Sequence, residues 1–348
     1  MCNIAGYNGT KRAAPVLIDM MLREEGFGGG YYSGLATLHE GKIHYAKLTG
    51  GMNRLLSLTD AASLPGNIGI IHSRSKSGGG DEWAHPFIGR DGSAAYVANG
   101  APGIFKDSPA TGEIAAQLIQ AGYKFTSRAE KRIGSYPRLP DGSCVHMSDI
   151  MCQRITWHIQ SGMSGAEAMT RAFEEMPAEI VGVLLSIAEP EQITVARVNM
   201  PMTLGFSEDG AYISTAAIAF PNYVGHVTLL PENATSIITH NGFSCIPFTH
   251  PKAKVEAITP YIWKCAYSFI EEKLSDEKPL SIGAMCSLCE PLFMKDAPDQ
   301  SAMLVYEILR CMNDQKRIQI KPKAVPGAFD DLTALRFYIE PYEFIKEN

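Results

Sequence analysis

The chain opens with MCNIAGYNG at residues 1–9, and the rest of the sequence is interpreted from this stretch. A cysteine directly follows the initial methionine, so removal of Met1 would place Cys2 at the amino terminus. A terminal cysteine carries its own base, because its α-amino group, with a pKa of about 8, can accept the thiol proton. Cys2 is therefore the candidate nucleophile, although a cysteine in second place has no such meaning by itself.

Three short segments further along the chain give this cysteine a chemical context. They are His72-Ser73-Arg74 at the end of an apolar run, Ala84-His85-Pro86-Phe87 after a glycine-rich loop, and Asn99-Gly100 at the end of a second apolar run.

Two of these segments offer groups that bind anions. Arg74 presents a planar guanidinium that can hold a carboxylate with two parallel hydrogen bonds. Asn99 and Gly100 place a side-chain amide beside a backbone N–H group, and such a pair of donors can form an oxyanion hole. Each also has a simpler interpretation, which is a surface ion pair for Arg74 and a hairpin turn for Asn99-Gly100.

Taken in this order, the segments resemble those of the class II glutamine amidotransferases, a family whose nucleophile is an N-terminal cysteine. The family begins Met-Cys-Gly-Ile, so Asn3 stands in the place of a glycine, and Ser75 stands in the place of a tryptophan after the arginine. Residues 203–215 are similar to the late glutaminase segment of glucosamine-6-phosphate synthases. The likeness covers residues 2–247.

The resemblance implies roles for the matching residues. Cys2 would attack the side-chain amide of glutamine, while Asn99 and Gly100 would hold the oxyanion of the tetrahedral intermediate. No cofactor and no metal ion is implied.

The resemblance also implies a pocket that recognises the substrate. Arg74 would bind the α-carboxylate of glutamine, and groups from Ser75 to Ser77 would line the same pocket. The family binds the α-amino group with an aspartate, and Glu130 lies at about that place in this sequence.

The order of apolar segments predicts an α+β fold. Short strand-like runs occur in two groups, at residues 3–97 and 181–239, with helical stretches between and around them, which is typical of antiparallel sheets covered by helices. The resemblance makes this a four-layer αββα sandwich over residues 1–250. Residues 251–348 are predicted to form a helical, winged-helix-like module that ends in a β-hairpin.

Composition limits the environment and the partners. The net charge of −6 argues against nucleic acid, because phosphate contacts need clustered Lys and Arg. No apolar run approaches the roughly 20 residues of a membrane span, and no signal peptide is visible, so a cytoplasmic location is predicted. The eight cysteines are expected to be free thiols, and Cys286-x-x-Cys289 lacks the further ligands of a zinc site.

The main hypothesis is a glutaminase or amidotransferase subunit that forms a thioester on Cys2 and supplies ammonia to an acceptor on a synthase partner. The alternatives are an N-terminal-nucleophile hydrolase of a different amide and a catalytically silent regulatory homologue. Glutamine or a related small amide is the expected ligand, a protein is the expected contact of the C-terminal module, and a homo-oligomer is a further expected assembly of the chain.

Overall fold

The thirteen strands of residues 2–249 form two antiparallel sheets in the computed structural model, which describes residues 2–249, 259–275, 279–292 and 300–342. The strands of these two sheets are β1 Asn3–Gly9, β2 Tyr32–His39, β3 Lys42–Thr49, β4 Ile68–Arg74, β5 Phe87–Ile88, β6 Ala94–Ala101, β7 Glu179–Ser186, β8 Gln192–Arg197, β9 Thr203–Ser207, β10 Gly210–Ser214, β11 His226–Leu229, β12 Ala234–Thr239 and β13 Gly242–Pro247. The first sheet has the order β11-β9-β10-β1-β4-β2-β3, and the second has the order β13-β12-β8-β7-β6-β5.

Five helices accompany these sheets: α1 Ala13–Gly28, α2 Met52–Leu58, α3 Ala110–Gln120, α4 Met147–Gln160 and α5 Gly165–Glu175. The helix α5 begins with a complete capping box, in which Ser164 and Glu167 satisfy each other's backbone N–H groups. The sheets and these helices together give the mixed α/β fold with antiparallel sheets that the sequence predicted.

Neighbouring residues of the central strands point into different parts of the core, as the two-residue period of a strand requires. Ile4 and Ile70 lie in a cluster between the two sheets, whereas Ala5 and Ile71 pack against α1. On the second sheet Val97 joins the cluster between the sheets, while alternate residues of β6 pack against helices α3 to α5.

The hairpin between β2 and β3 shows how local sequence sets the register. Glu40 and Gly41 both have positive φ angles, of 48° and 70°, which is the backbone of a tight two-residue turn. The turn pairs His39 with Lys42, so the predicted hairpin is confirmed.

The described residues after 258 contribute α6 Pro260–Leu274, β14 Leu280–Ser281, α7 Ile282–Cys289, α8 Gln300–Asp314, β15 Ile318–Pro326 and β16 Thr333–Pro341. The three strands form a separate sheet in the order β14-β16-β15. The apolar core of these elements includes Phe27 of helix α1. The centre of the Phe27 ring lies 5.0 Å from that of Tyr306 and 5.7 Å from that of Phe337.

Some boundaries differ from the sequence predictions. The helix predicted at 282–293 ends at Cys289, and the strands predicted at 317–320 and 335–339 each extend to nine residues because they pair along their whole length. The start of the helix predicted at 253–274 lies outside the described residues. Strand β13 was not predicted, since Asn241-Gly242 indicated only a turn.

Within the described ranges, no helix combines the length and the apolar character needed to cross a membrane.

Candidate active site

The thiol of Cys2 lies where the ends of the two sheets meet. Residue pairing between β1 and β4 places Asn3 opposite Ser73, so Cys2 lies beside the end of β4. The Sγ atom accepts the backbone N–H of Ser75 at 3.5 Å and lies 3.6 Å from the Ser75 hydroxyl. From the second sheet, Oδ1 of Asn99 accepts the backbone N–H of Cys2 at 3.0 Å.

A cavity of about 570 Å³ opens in front of this thiol. Its lining includes six of the seven residues that the sequence selected, and Glu130 is the exception. The lining includes Cys2, Arg74, Ser75, Ser77, His85, Asn99, Gly100, Tyr136, His146 and Glu179.

Asn99 and Gly100 both line the cavity in front of the thiol. The Asn99 side chain is buried, and its Nδ2 atom has no hydrogen-bond partner among the described residues. Gly100 has a φ of 132°, and a Cβ atom there would lie 2.2 Å from the carbonyl oxygen of Glu179. Only glycine fits this backbone, so the local conformation depends on that residue.

Arg74 is buried and makes four hydrogen bonds inside the protein. Its acceptors are the Ser77 hydroxyl at 2.8 Å, the Trp83 carbonyl at 2.7 Å, the Gly78 carbonyl at 2.6 Å and the Tyr136 hydroxyl at 3.1 Å. A guanidinium has five N–H donors, so one is left without a partner in the described part of the chain. Arg74 thus holds the loop that follows β4, and a substrate carboxylate would take a second donor only by replacing one of these acceptors.

The polar groups around Arg74 support one another. The Ser77 hydroxyl donates to the Ser75 carbonyl at 3.2 Å, and the Tyr136 hydroxyl donates to Ser77 at 3.0 Å. Glu130 is exposed and does not line the cavity. The one carboxylate among the described lining residues is Glu179, which accepts the backbone N–H of Ile104 and the side-chain amide of Asn199.

Sequence reasoning gave no role to a group of histidines at the cavity. The ring of His85 lies 4.0 Å from that of His72 and 5.1 Å from that of His146. Both ring nitrogens of His85 are buried and have no partner within the described residues. The segment Ala84-His85-Pro86-Phe87 indicated that His85 belongs to the site, but burial of its imidazole could not be inferred from the sequence.

His85 and His146 are neutral in the folded protein. Burial, followed by the charge of neighbouring cationic groups, lowers the pKa of His85 and of His146 well below the usual value. Nε2 of His72 lies 3.0 Å from the Ala98 carbonyl oxygen. Since a carbonyl only accepts, Nε2 of His72 carries a hydrogen in this contact.

The surroundings of Cys2 favour its thiolate. Burial is the largest single influence on its pKa and opposes ionisation, but the hydrogen bond and charge of His72, the amino end of the chain and the Ser75 amide together outweigh it. The pKa of Cys2 is lowered to about 6 as a result. A thiolate at neutral pH is the nucleophilic form of cysteine.

Among the residues that the structure describes, no group of three His, Cys, Asp or Glu side chains is arranged to hold a metal ion.

Comparison with known proteins shows that the chain is similar to glutamine-dependent aminotransferases. It is 25% identical over 244 residues to the glutamine–fructose-6-phosphate aminotransferase (isomerizing) of Clostridium acetobutylicum, an alignment that covers 70% of this chain and 36% of that protein. With its counterpart from Pyrococcus horikoshii it is 25% identical over 265 residues, covering 76% and 40%. The chain therefore spans well under half the length of the curated relatives it matches. No protein-family model matches the chain.

A solved structure supports the fold. The glutamine phosphoribosylpyrophosphate amidotransferase of B. subtilis, in complex with ADP and GMP, aligns with 80% of this chain and 58% of its own, with a TM-score of 0.57 and 16% sequence identity. At that identity the likeness concerns the fold alone. The resemblance to class II glutamine amidotransferases that the motifs predicted is confirmed. The two sequence relatives described above are both glutamine–fructose-6-phosphate aminotransferases.

Proposed function

We propose that this chain hydrolyses the side-chain amide of glutamine and releases ammonia, with Cys2 as the nucleophile. The observation that carries this proposal is the position of the Cys2 thiol, which contacts the Ser75 amide and faces a cavity rimmed by Asn99 and Gly100. The sequence relatives support the same reaction class, since their name describes transfer of an amino group from glutamine.

The proposed reaction has two halves. The Cys2 thiolate attacks the amide carbon, and the resulting oxyanion accepts hydrogen bonds from Asn99 Nδ2 and the Gly100 N–H. The C–N bond then breaks, the leaving nitrogen takes up the proton that the Cys2 α-amino group had accepted from the thiol, and ammonia departs, so that a γ-glutamyl thioester remains. Water adds to the thioester in the second half and releases glutamate and the free thiol.

Asn99 would act through both ends of its amide. Its Oδ1 atom accepts from the Cys2 nitrogen at 3.0 Å, and this nitrogen becomes the α-amino base once Met1 is removed. Its Nδ2 atom is left free to donate to the oxyanion. One side chain would therefore orient the base and stabilise the charge that develops in the transition state.

Arg74 would bind the substrate carboxylate through the one N–H group of its guanidinium that has no partner in the described structure. Its other N–H groups would hold the loop at residues 77–83. Ser75 and Ser77 would line the same pocket beside it. Glu130 has no support from its position as the group that binds the substrate amine, because it is exposed away from the cavity.

A second candidate, hydrolysis of a different small carboxamide, is favoured by one specific observation. Glu179, the one carboxylate among the described lining residues, already accepts N–H groups from Ile104 and Asn199. A substrate α-ammonium group would therefore share Glu179 with these two donors, which favours an amide without that group.

We also infer the finer architecture. Three core clusters, on either side of and between the two sheets, support a four-layer αββα sandwich over residues 1–250. Residues 251–348 would form a second unit of helices and a terminal hairpin. The partner of the whole chain would be an ammonia-accepting synthase, and its location would be the cytoplasm.

The test is ammonia release from glutamine by the parent chain and by Cys2→Ala, with Cys245→Ala as the control because Cys245 is exposed. We expect the first substitution to abolish hydrolysis without lowering the melting temperature, and the second to leave the rate unchanged. A glutamine-analogue electrophile should add once, to the peptide that contains Cys2. Hydrolysis by Cys2→Ala at the parent rate would refute the proposal, and no turnover by a parent with Met1 removed would favour the silent homologue.

A further inference from the structure

The turn at residues 28–30 is held by the last strand of the chain. It follows the end of α1, and its three residues are all glycine. Arg336 on β16 donates to the Gly29 carbonyl through Nη1 and to the Gly28 carbonyl through Nη2, the latter at 3.3 Å. A single guanidinium thus connects two successive carbonyls of a turn that lies more than 300 residues away in the sequence.

The same turn is held from the opposite side by the two strands next to the nucleophile. Oδ1 of the fully buried Asn3 accepts the N–H groups of Gly28 at 3.2 Å and of Gly29 at 2.9 Å. The N–H group of Gly30 donates to the Ser73 hydroxyl at 2.7 Å. Asn3 and Ser73 are paired across β1 and β4, so both contacts converge on one place.

Both of these contacts lie next to groups that set the reactivity of the thiol. Asn3 follows Cys2 directly, and Ser73 lies two residues before Ser75, whose amide donates to Sγ at 3.5 Å. A shift of the turn would therefore move the nucleophile and its hydrogen-bond donor relative to each other.

Asn3 is also a departure from the family pattern, which has glycine at this position. Glycine has no side chain with which to accept the two N–H groups of the turn. The tether between the turn and the nucleophile therefore depends on the Asn3 side chain, and the C-terminal hairpin supplies its other end.

The position of Arg336 is fixed by packing. Its guanidinium lies 4.6 Å from the ring centre of Tyr31, and the next residue, Phe337, packs edge-on against Phe27. A Cβ atom added to Gly26 would lie 2.4 Å from the Phe337 ring, so the strand approaches the helix closely.

We propose that Arg336 is a positioning residue for Cys2: through the turn at Gly28–Gly30 it fixes Asn3 and Ser73, so that the C-terminal hairpin sets the reactivity of the thiol. This inference rests on the proposed function only in taking Cys2 as the nucleophile. It assigns to the C-terminal segment a part in completing the site.

The test is the rate at which iodoacetamide alkylates Cys2 at pH 7, followed by mass spectrometry of its peptide, with exposed Cys245 as the internal reference. We expect Arg336→Ala to slow Cys2 alkylation about tenfold, because small displacements of reacting groups have large kinetic effects. Arg336→Lys should restore the rate only in part, since an ammonium cannot hold both carbonyls in the same geometry. The matched control is Arg317→Ala, which removes an exposed arginine paired with Glu271 in the same segment and should leave the rate unchanged.

The decisive comparison repeats Arg336→Ala in an Asn3→Gly background. There the two contacts of Asn3 are absent and only the contact of Ser73 with Gly30 remains, so the effect of Arg336→Ala should fall to less than half of its value in the parent, on a logarithmic scale. Equal effects in both backgrounds, or an unchanged Cys2 rate with only a lower melting temperature, would overturn the proposal. If Arg336→Ala does not fold, Arg336→Lys takes its place in the same comparison.

Alkylation does not depend on glutamine turnover, so the two proposals fail separately. A parent that does not hydrolyse glutamine but whose Cys2 alkylation depends on Arg336 through Asn3 contradicts only the proposed function. A parent that hydrolyses glutamine while its alkylation is indifferent to Arg336 contradicts only this inference.

Discussion

The two sides of the cavity differ in how far their polar groups are already engaged. On the nucleophile side, contacts among Cys2, Ser75 and Asn99 leave the Asn99 Nδ2 donor free within the described structure. On the recognition side, Arg74 gives four hydrogen bonds to the protein and Glu179 accepts two. Arg74 and Glu179 themselves lie in strands, but the partners that engage them on the second side lie outside the strands.

This difference means that the two sides support the proposed function unequally. Strand pairing places Cys2 and Asn99 at strand ends in different sheets, and the contact between the sheets brings them together. The grip on a substrate depends on how Arg74 divides its donors between the loop and the ligand.

The largest effect after loss of the nucleophile is expected at Asn99. Asn99→Asp keeps an oxygen for the Cys2 nitrogen and removes the Nδ2 donor, so kcat should fall about a hundredfold or more, roughly 3 kcal/mol, with a smaller change in KM. Steady-state kinetics of ammonia release measure this. A change confined to KM would mean that Asn99 is only a turn residue, and the contrast between the two sides would disappear.

A smaller effect is expected at Arg74, on the recognition side. If one donor reads the carboxylate, Arg74→Ala should lower kcat/KM for glutamine about thirtyfold, or about 2 kcal/mol, mainly through KM. A glutamine derivative with a blocked carboxyl group should be a poor substrate of the parent and should lose little more with Arg74→Ala.

The comparison of both substrates with both enzymes separates the two duties of this residue. Equal losses for the two substrates would show that Arg74 only holds the loop. Arg74→Lys should not restore the parent values, because a point charge cannot replace four directed hydrogen bonds.

The pH dependence of Cys2 should reflect the nucleophile side alone. Because its pKa is lowered to about 6, the thiolate is present above that pH, and alkylation should be nearly constant from pH 7 upward. Below pH 6 the rate should fall as the thiol becomes protonated, by about tenfold between pH 7 and pH 5. Glutathione, titrated in parallel, serves as the ordinary thiol, and a Cys2 profile that matches it would contradict the lowered pKa.

The smallest effect is expected at Glu130. Because this carboxylate is exposed and away from the cavity, Glu130→Gln should change KM for glutamine less than twofold. Measurement of KM in the same assay decides the matter. A tenfold increase would show that Glu130 reaches the substrate amine, and the recognition side would then resemble the family more than its geometry indicates.

Much of the fold could be predicted from local sequence. The apolar runs at β1, β4 and β6 and the turn at Glu40-Gly41 carry their signals within a few residues. Strand β13 was missed because its exposed residues lack the alternation of a half-buried strand.

The sequence by itself determined the candidate residues of both sides of the cavity. The cysteine in second place, Arg74 at the end of a strand and Asn99-Gly100 at the end of another are local patterns, and their order along the chain carried the resemblance.

Only the tertiary structure decided which partners these groups have. Arg74 bonds Tyr136, which is 62 residues away, and Arg336 bonds the turn beside Asn3 from the far end of the chain. His85 has two buried nitrogens because three neighbouring rings enclose it. A donor or acceptor binds whatever group the packing brings within about 3 Å, and no local pattern of residues contains that distance.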